Sequence, residues 1–310
     1  MARHARVIIN PQAGGERTRR RWKGVVRALR EAGFTTDHVL TEAPGHATEL
    51  ARESAQGGYD TIIAVGGDGT VFEAVNGVLS VDGHPPFAVL QTGSGNAVRR
   101  ALGFPRSIRD QANALGAAKP GRFDVGWAEF EGPDGLERRA FLLVGSLGFG
   151  ARCMDRSLRY KRINGMFAYS LAMVQEGWSA AAYEAEVVCN GEARARRVAE
   201  FMAVNAPSTM GTMSPSPTAR ADDGLLDLVT VEGRGRRHLY TVMGRFAAGK
   251  HIGYPGVTLE RTESVRVAPS VQQPVQLDGE IVGTTPVTFS VEKGGLNVLM
   301  GPGWMSREQA

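Results

Sequence analysis

Residues 61 to 70 read Thr61-Ile62-Ile63-Ala64-Val65-Gly66-Gly67-Asp68-Gly69-Thr70, an apolar run that passes directly into a glycine-rich turn. Apolar residues at helical spacing follow the turn, and roughly one face carries Val71, Phe72, Val75, Val78 and Leu79. The stretch therefore predicts a buried strand, a tight turn and a helix. In that arrangement the first backbone N–H groups of the helix point at a bound anion, and the glycines let a phosphate approach the backbone.

Asp68 is the unusual residue of this turn, because a carboxylate repels a phosphate unless it binds a metal or moves a proton. The alternative interpretation is an ordinary strand-to-helix turn with an acidic residue near the helix N-terminus. Two adjacent glycines followed by Asp-Gly-Thr exceed what a helix cap requires. Asp68 is therefore a candidate to bind catalytic Mg²⁺ or to orient an acceptor hydroxyl.

Two further glycine-rich turns follow predicted strands. A strand at 6–9 ends at Asn10-Pro11-Gln12-Ala13-Gly14-Gly15, and a strand at 87–90 ends at Gln91-Thr92-Gly93-Ser94-Gly95-Asn96. With another strand at 34–40 and helices in between, the pattern predicts a parallel, doubly wound α/β sheet. Ligands of such sheets bind beyond the carboxyl ends of the strands, so the three turns are expected to converge on one crevice.

The pattern changes near residue 122, where strand-like segments become dominant. We predict strands at 124–130, 140–144, 183–189, 195–204, 225–231, 257–260, 263–268, 274–277, 286–291 and 295–299. A glycine-rich turn is predicted at 145–150, a helix at about 157–176 and another helix within 233–253. The expected organisation is an α/β domain at 1–122, a mainly β domain of two packed sheets at 123–300, and a tail at 301–310.

Composition limits the classes of partner. A net charge of +4 over 310 residues suits an anionic ligand or an anionic membrane surface, but it is too weak and dispersed to indicate nucleic acid. Cys153 and Cys189 lack metal or redox spacing, which favours reduced thiols in a cytoplasmic protein. No apolar run reaches transmembrane length, so contact with lipid is expected to be peripheral. A homodimer through an exposed sheet edge stays open.

Several boxes together resemble one known family. Gly66-Gly67-Asp68-Gly69-Thr70 with Glu73 and Asn76-Gly77 is similar to the signature of the diacylglycerol kinase catalytic domain, whose superfamily includes sphingosine and ceramide kinases and bacterial lipid kinases. The family's order is also followed by Asn10-Pro11, Thr41, Gly93-Ser94-Gly95-Asn96, Asp223-Gly224-Leu225-Leu226-Asp227 and Asp278-Gly279-Glu280. Gly-Gly-Asp-Gly alone also occurs in NAD kinases and phosphofructokinases. The last three boxes together are specific, and the resemblance covers about residues 6–300.

The resemblance implies phosphorylation of a lipid hydroxyl with ATP and Mg²⁺ as cofactors. It places around the nucleotide Asn10, Pro11, Gln12, Ala13, Gly14, Thr41, Gly66, Gly67, Asp68, Gly69, Thr70, Val71, Phe72, Gly93, Ser94 and Asn96. It also implies a structural Mg²⁺ held by Asp223 and the backbone carbonyls of Arg220 and Leu225. Plain turns are the alternative interpretation of this box and of Asp278-Gly279-Glu280.

The proton acceptor implied by the resemblance is Glu280. We expect Glu280 and Asp68 to meet across a crevice between the domains, with Asp68 organising metal and phosphates. Many bacterial members carry Gly-Phe-Asp-Ala where this chain has Gly148-Phe149-Gly150-Ala151. Asp155 is the reserve candidate for the missing carboxylate, and the departure leaves the acceptor open between a diacylglycerol-like and a sphingoid-like lipid.

A basic stretch before an apolar helix suggests a surface for contact with a membrane. The basic residues are Arg152, Arg156, Arg159, Lys161 and Arg162, and the candidates to line an acyl-chain channel are Met166, Phe167, Leu171, Met173, Val174 and Trp178. Docking of the basic residues on anionic headgroups is one interpretation, and a solvated basic face is the other. For the apolar residues the alternative is ordinary core packing.

Two other functions stay open from the residues. A kinase of a soluble substrate of the NAD-kinase type would share the Gly-Gly-Asp-Gly turn, although the Asn-Thr-Glu segment typical of NAD kinases is absent from this sequence. The other is a nucleotide-binding regulator that has lost catalysis.

Overall fold

The computed structural model describes residues 3–13, 16–93, 95–132, 135–160, 165–179, 182–207 and 214–304. It divides the chain into two units, one formed by Met1–Val125 with Lys293–Ala310 and the other by Gly126–Glu292. The expected second domain therefore ends at Glu292 and not at residue 300. The cause is that the end of the chain pairs with the first unit: Val298 pairs in parallel with Phe87, and Gly301 N donates to Leu102 O at 2.8 Å.

The first unit is an α/β fold. Its elements are β1 (Arg3–Ile9), α1 (Glu16–Glu31), β2 (Phe34–Leu40), α2 (His46–Gln56), β3 (Thr61–Gly66), α3 (Asp68–Val78), β4 (Phe87–Gln91), α4 (Ala97–Ala101) and α5 (Ile108–Ala117). The strands pair in parallel in the order β4-β3-β1-β2. Every residue of β3 is buried, as expected of a parallel strand covered on both faces. Helix α2 packs against α3, and α1 packs against α5.

The second unit is mainly β. Its elements are β5 (Pro120–Gly132), β6 (Gly135–Phe141), β7 (Val144–Gly148), α6 (Phe149–Leu158), α7 (Gly165–Ser179), β8 (Tyr183–Cys189), β9 (Glu192–Val204), β10 (Leu226–Glu232), α8 (Arg236–Ala247), β11 (Val257–Thr262), β12 (Ser264–Pro269), β13 (Pro274–Leu277) and β14 (Glu280–Leu299). Strands β5 and β14 contribute residues to both units. The core contains a group of fully buried aromatic rings, in which Phe289 contacts Phe141 edge-on and stacks on Phe201.

The two packed sheets predicted for this unit form one closed circuit of strand pairs. The order is β9-β7-β13-β14-β12-β8 and back to β9, with β10 and β11 continuing from β9. The circuit closes because two long strands each change partner along their length. The first half of β9 pairs with β8 and its second half with β7, while β14 pairs first with β13 and then with β12.

Three segments of the second unit differ from the prediction. The predicted strand at 140–144 is interrupted, because the Asp278 carboxylate accepts hydrogen bonds from the N–H groups of Leu142 and Leu143. The predicted turn at 145–150 is strand β7 running into α6, and Gly145 is needed there because a Cβ would overlap the Phe289 ring. The predicted helix at 157–176 is two helices, α6 and α7.

One helix of the first unit was not predicted. Helix α5 contains only two large apolar residues, Ile108 and Leu115, and its buried residues are Gln111, Ala112 and Leu115. The available signal was its N-cap, where the Ser107 side chain accepts a hydrogen bond from the Asp110 N–H at 3.3 Å. No helix of the described chain is long and apolar enough to cross a bilayer.

Candidate active site

Three turns meet at one edge of the sheet in the first unit. Strands β1, β3 and β4 are parallel neighbours, so their carboxyl ends lie side by side. The Asn10 N–H donates to Val65 O at 2.9 Å, and the Thr92 N–H donates to Gly66 O at 2.9 Å. The turns that follow the three strands therefore start at the same level, as the alternation of strands and helices predicted.

Side chains and close backbone contacts join the first two turns. Asn10 Nδ2 donates to Thr70 Oγ1 at 2.9 Å, and Asn10 Oδ1 accepts from the Gln12 N–H at 2.9 Å. A Cβ at Gly66 would lie 2.5 Å from Thr70 Oγ1, so only glycine fits between β3 and α3. Thr41 lies at the neighbouring strand end, where its N–H donates to Ile9 O at 2.9 Å.

Asp68 joins the second turn to the third. It is the first residue of α3, it is half-buried, and its Oδ1 accepts hydrogen bonds from Gln91 Nε2 and from the Ala97 N–H, both at 2.8 Å. A Cβ at Gly95 would overlap Asp68 Oδ2, so this glycine lets the third turn approach the carboxylate. Asp68 thus has a structural task in addition to any chemical one.

The edge of this sheet suits a bound anion. Helix α3 starts in the second turn, and its first N–H groups have no acceptor within the helix. The helix dipole adds partial positive charge at the same place. The remaining nucleotide candidates lie in these turns or just inside α3, except that Gly14 and Ser94 are outside the described residues; the others are Pro11, Ala13, Gly67, Gly69, Val71, Phe72, Gly93 and Asn96.

The Asp278-Gly279-Glu280 box is a tight turn between β13 and β14 in the second unit. Asp278 has a φ of 49° and Gly279 a φ of 100°, both in the left-handed region. The Asp278 carboxylate accepts the N–H groups of Leu142, Leu143 and Val144 at 2.7, 2.9 and 2.9 Å. Asp278 therefore fixes the turn, and Glu280 lies beside it with an exposed side chain.

The two carboxylates of the Asp223-to-Asp227 box, Asp223 and Asp227, have different environments. Asp227 is buried, accepts hydrogen bonds from Ser216 Oγ at 2.5 Å and Thr218 Oγ1 at 2.8 Å, and pairs with Arg261 Nε at 2.9 Å. Asp223 is half-buried, and its Oδ1 accepts from the Leu225 N–H at 3.0 Å. Asp227 thus stabilises the loop, while Asp223 stays nearer the surface.

The loop around Asp223 offers hard oxygen donors. A carboxylate together with the backbone carbonyls of Arg220 and Leu225 is a donor set that Mg²⁺ accepts, with water completing its shell. Among the described residues no group of three His, Cys, Asp or Glu side chains forms a metal cluster. A cation in this loop would therefore depend on Asp223 and backbone oxygens. The neighbouring Asp222 is engaged with Arg220, at 3.1 Å, and this hydrogen bond raises the pKa of Arg220.

The basic stretch on α6 is largely neutralised within the protein. Arg152 and Arg156 both pair with Glu176, at 3.3 and 2.5 Å, and Arg159 pairs with Asp155 at 2.7 Å. Lys161 and Arg162 lie outside the described residues. The reserve base Asp155 is therefore held in an ion pair, and the three described arginines have carboxylate partners that compete with lipid headgroups.

Glu200 is a buried carboxylate that sequence reasoning missed. It lies on β9, and its Oε2 accepts the Gly150 N–H at 2.6 Å at the start of α6. A Cβ at Gly150 would lie 3.0 Å from Glu200 Oε1. Glu200 therefore places a carboxylate next to Gly150, the position at which many bacterial members of the similar family carry Asp. The only signal in the sequence was one acidic residue within the apolar part of a strand.

Burial raises the pKa of Glu200 to about 8, against the lowering effect of the Gly150 N–H and of Arg152. The native state therefore keeps this proton at pH values where the unfolded chain has lost it. We expect the free energy of unfolding to fall as pH rises from about 5 to 8, by at most about 1.4 kcal/mol per pH unit from this group. Glu200→Gln should flatten that slope in urea unfolding, whereas Glu53→Gln, at an exposed position on α2, should leave it unchanged. Equal slopes in all three proteins would contradict the assignment.

Comparison with known proteins covers nearly the whole chain. The family model "Diacylglycerol kinase catalytic domain" matches residues 4–128, and "YegS C-terminal NAD kinase beta sandwich-like domain" matches residues 144–300. The chain is 28% identical over 293 residues to the diacylglycerol kinase of Staphylococcus carnosus (strain TM300), covering 93% of this chain and 92% of that protein. It is 28% identical over 291 residues to the diacylglycerol kinase of Bacillus subtilis (strain 168), covering 93% of each.

Solved structures share the fold. A crystal structure of a protein from Bacillus anthracis str. Sterne matches with a TM-score of 0.81 at 22% identity, covering 97% of this chain and 98% of that one. A second crystal structure from the same organism, described as a diacylglycerol kinase, matches with a TM-score of 0.72 at 21% identity, covering 97% of both chains. The α/β unit followed by a β-rich unit is thus a known combination.

Proposed function

This chain belongs to the diacylglycerol kinase family and is a lipid kinase, and on that premise we propose that it transfers the γ-phosphate of ATP to a hydroxyl of a diacylglycerol-like lipid with the help of Mg²⁺. ATP as the phosphate donor follows from the kinase family. The choice of a diacylglycerol-like acceptor rests on the relatives named diacylglycerol kinase, which match 93% of this chain. A sphingoid-like acceptor is the second candidate, because Gly150 replaces an Asp of the bacterial pattern.

The observation that carries the proposal is the meeting of three glycine-rich turns beyond β1, β3 and β4. Backbone N–H groups of these turns and of the start of α3 would bind the phosphates of ATP. Asp68 would hold the metal-bound phosphates in register, since its Oδ1 is already fixed by Gln91 and Ala97. Mg²⁺, when bound, supplies charge neutralisation at the phosphate oxygens.

Glu280 would accept the proton of the lipid hydroxyl. Its side chain is exposed, and its backbone is held by the neighbouring Asp278, whose carboxylate accepts three backbone N–H groups. Asp68 is a weaker candidate for this step, because a bound Mg²⁺ would lower the pKa of a coordinating carboxylate and reduce its basicity. Asp155 is disfavoured by its ion pair with Arg159.

We infer a second, structural Mg²⁺ at Asp223, with the carbonyls of Arg220 and Leu225 as further ligands. Mg²⁺ added without nucleotide should raise the melting temperature of the wild-type protein, because a ligand that binds only the native state stabilises it. Asp223→Ala should abolish this shift. The control Asp82→Ala removes an exposed carboxylate from the first unit and should leave the shift intact. If Mg²⁺ stabilises the Asp223→Ala protein as much as the wild type, Asp223 is only a turn residue.

The lipid acceptor also implies where the protein works. We infer peripheral contact with the cytoplasmic face of a membrane, since the acceptor resides in a bilayer and the donor is ATP. Both cysteines, Cys153 and Cys189, are free thiols, which suits a reducing compartment.

A panel of purified acceptors tests the proposed function. Diacylglycerol, sphingosine and ceramide, each in mixed micelles, and NAD in solution are offered with ATP and Mg²⁺, and phosphorylated products are quantified. We expect diacylglycerol to be phosphorylated fastest. Phosphorylation of NAD alone would establish the soluble-substrate alternative. ATP binding without turnover on any acceptor would establish the inactive regulator.

A further inference from the structure

Helix α7 presents an apolar face to solvent. Phe167, Leu171, Val174 and Trp178 are 73%, 40%, 60% and 72% exposed. At 3.6 residues per turn these four positions lie within about 60° of one another, so they form a single stripe along the helix. We call this stripe the α7 face. Surface helices normally carry charged residues on their outer side, which makes a solvent-facing stripe of large apolar side chains unusual.

Helix α7 itself contributes no charged residue to this face. The only acidic or basic side chain of α7 is Glu176, which is buried on the opposite side and pairs with Arg152 and Arg156. Ala168 and Ala172, which are also buried, lie towards the same side. Four of the six residues proposed to line an acyl-chain channel are therefore exposed, which contradicts the alternative that they pack in the core.

Helix α8 packs against α7 beside this face. Tyr240 Oη donates to Val174 O at 3.3 Å, and a Cβ at Gly177 would lie 2.7 Å from Tyr240 Oη, so glycine is needed for the close approach. Arg236 lies over the Trp178 ring, with Cζ at 4.5 Å from the ring centroid. Arg237 follows with an exposed side chain. Arg236 is exposed as well, so both charges are accessible to an anionic partner.

We propose that the α7 face, together with Arg236 and Arg237, docks the protein on an anionic lipid bilayer. The chemistry of the surface favours a bilayer over a protein. Tryptophan beside arginine at one end of an apolar stripe is the arrangement of helices that lie in a membrane interface, where the ring and the cation stay at headgroup level. The proposal rests on the lipid-kinase function in one respect, which is that the acceptor has to be reached in a bilayer.

The proposal replaces the basic stretch of α6 as the source of positive charge. Arg152, Arg156 and Arg159 pair with Glu176 and Asp155, whereas Arg236 contacts the exposed Trp178 ring and Arg237 follows it in α8. Apolar insertion and electrostatic attraction would then act at one surface but through different residues. Mutations should therefore separate the two contributions to binding.

Flotation with phosphatidylcholine vesicles, with and without phosphatidylglycerol, tests the proposal. Neither ATP nor acceptor is present, so the result does not depend on whether the chain phosphorylates diacylglycerol. Phe167→Gln/Trp178→Gln should lower the fraction bound to anionic vesicles at least about 10-fold, because two large apolar side chains are lost from the buried surface. The matched control is Leu136→Gln, which removes the side chain at 78% exposure on β6 and should bind like wild type.

A second pair of variants tests the electrostatic contribution to vesicle binding. Arg236→Gln/Arg237→Gln should weaken binding to anionic vesicles about 10-fold and change binding to neutral vesicles little, and added salt should have the same effect. Arg52→Gln/Arg109→Gln removes equal charge from exposed positions of the first unit and serves as the control. Wild-type binding by the α7 double variant, or an equal loss in Leu136→Gln, would overturn the proposal. So would a wild-type dimer that the α7 variant dissociates while its vesicle binding is unchanged, because a second copy would then cover the face.

Discussion

Asp68→Asn should reduce turnover by about 100-fold or more while leaving the fold intact. The Asn side chain keeps an oxygen that accepts hydrogen bonds from Gln91 Nε2 and the Ala97 N–H, so the joint between the second and third turns survives. What is lost is the negative charge that the proposed mechanism uses to hold metal-bound phosphates. The measurement is kcat and KM for ATP together with the melting temperature.

A second substitution separates the two tasks of Asp68. Asp68→Ala removes the acceptor as well as the charge, leaving Gln91 and the Ala97 N–H without this partner, so it should lower the melting temperature in addition to turnover. Asp82→Asn, at an exposed position, is the control for the loss of one carboxylate. Near-normal turnover in Asp68→Asn would mean that Asp68 only joins the turns.

Glu280→Gln should retain ATP affinity and lose the chemical step, by about 100- to 10,000-fold, the range for a positioned proton acceptor. The substitution preserves the shape of the side chain, and the turn should persist because Asp278 still accepts the N–H groups of Leu142, Leu143 and Val144. Single-turnover assays with saturating ATP isolate the chemical step from binding and product release.

The comparison variant for this assignment is Asp155→Asn. It breaks the ion pair with Arg159 on α6 and, if Glu280 is the base, should leave the single-turnover rate near wild type. The opposite pattern, normal turnover in Glu280→Gln with loss in Asp155→Asn, would transfer the role to Asp155.

The meeting of the three turns beyond β1, β3 and β4 could be predicted from sequence because its signals are local. A buried apolar strand that runs into glycines fixes both the direction of β3 and the start of α3, and the same pattern recurs after β1 and β4. What sequence could not supply were contacts between distant residues. That Asp68 accepts from Gln91 depends on the packing of two turns, 23 positions apart.

The errors in the second unit have the same origin. Asp278 interrupts a strand 134 to 136 residues earlier in the chain, and no local pattern shows this. β14 was predicted as two short strands because nothing local reveals that a single long strand can change partners. The apolar spacing of α7 identified a helix face, but only tertiary packing shows that this face is exposed while the face with Glu176 is buried.

Transfer of labelled phosphate from ATP into a mixed lipid extract tests the central claim most directly. The purified protein is incubated with γ-labelled ATP, Mg²⁺ and the extract, and the labelled lipid is identified by mass spectrometry, with Asp68→Asn as the matched reaction. The account predicts a labelled phosphatidic-acid-type product that requires Mg²⁺ and falls about 100-fold or more in the variant. No label in the lipid fraction, with ATP bound and not consumed, would contradict it.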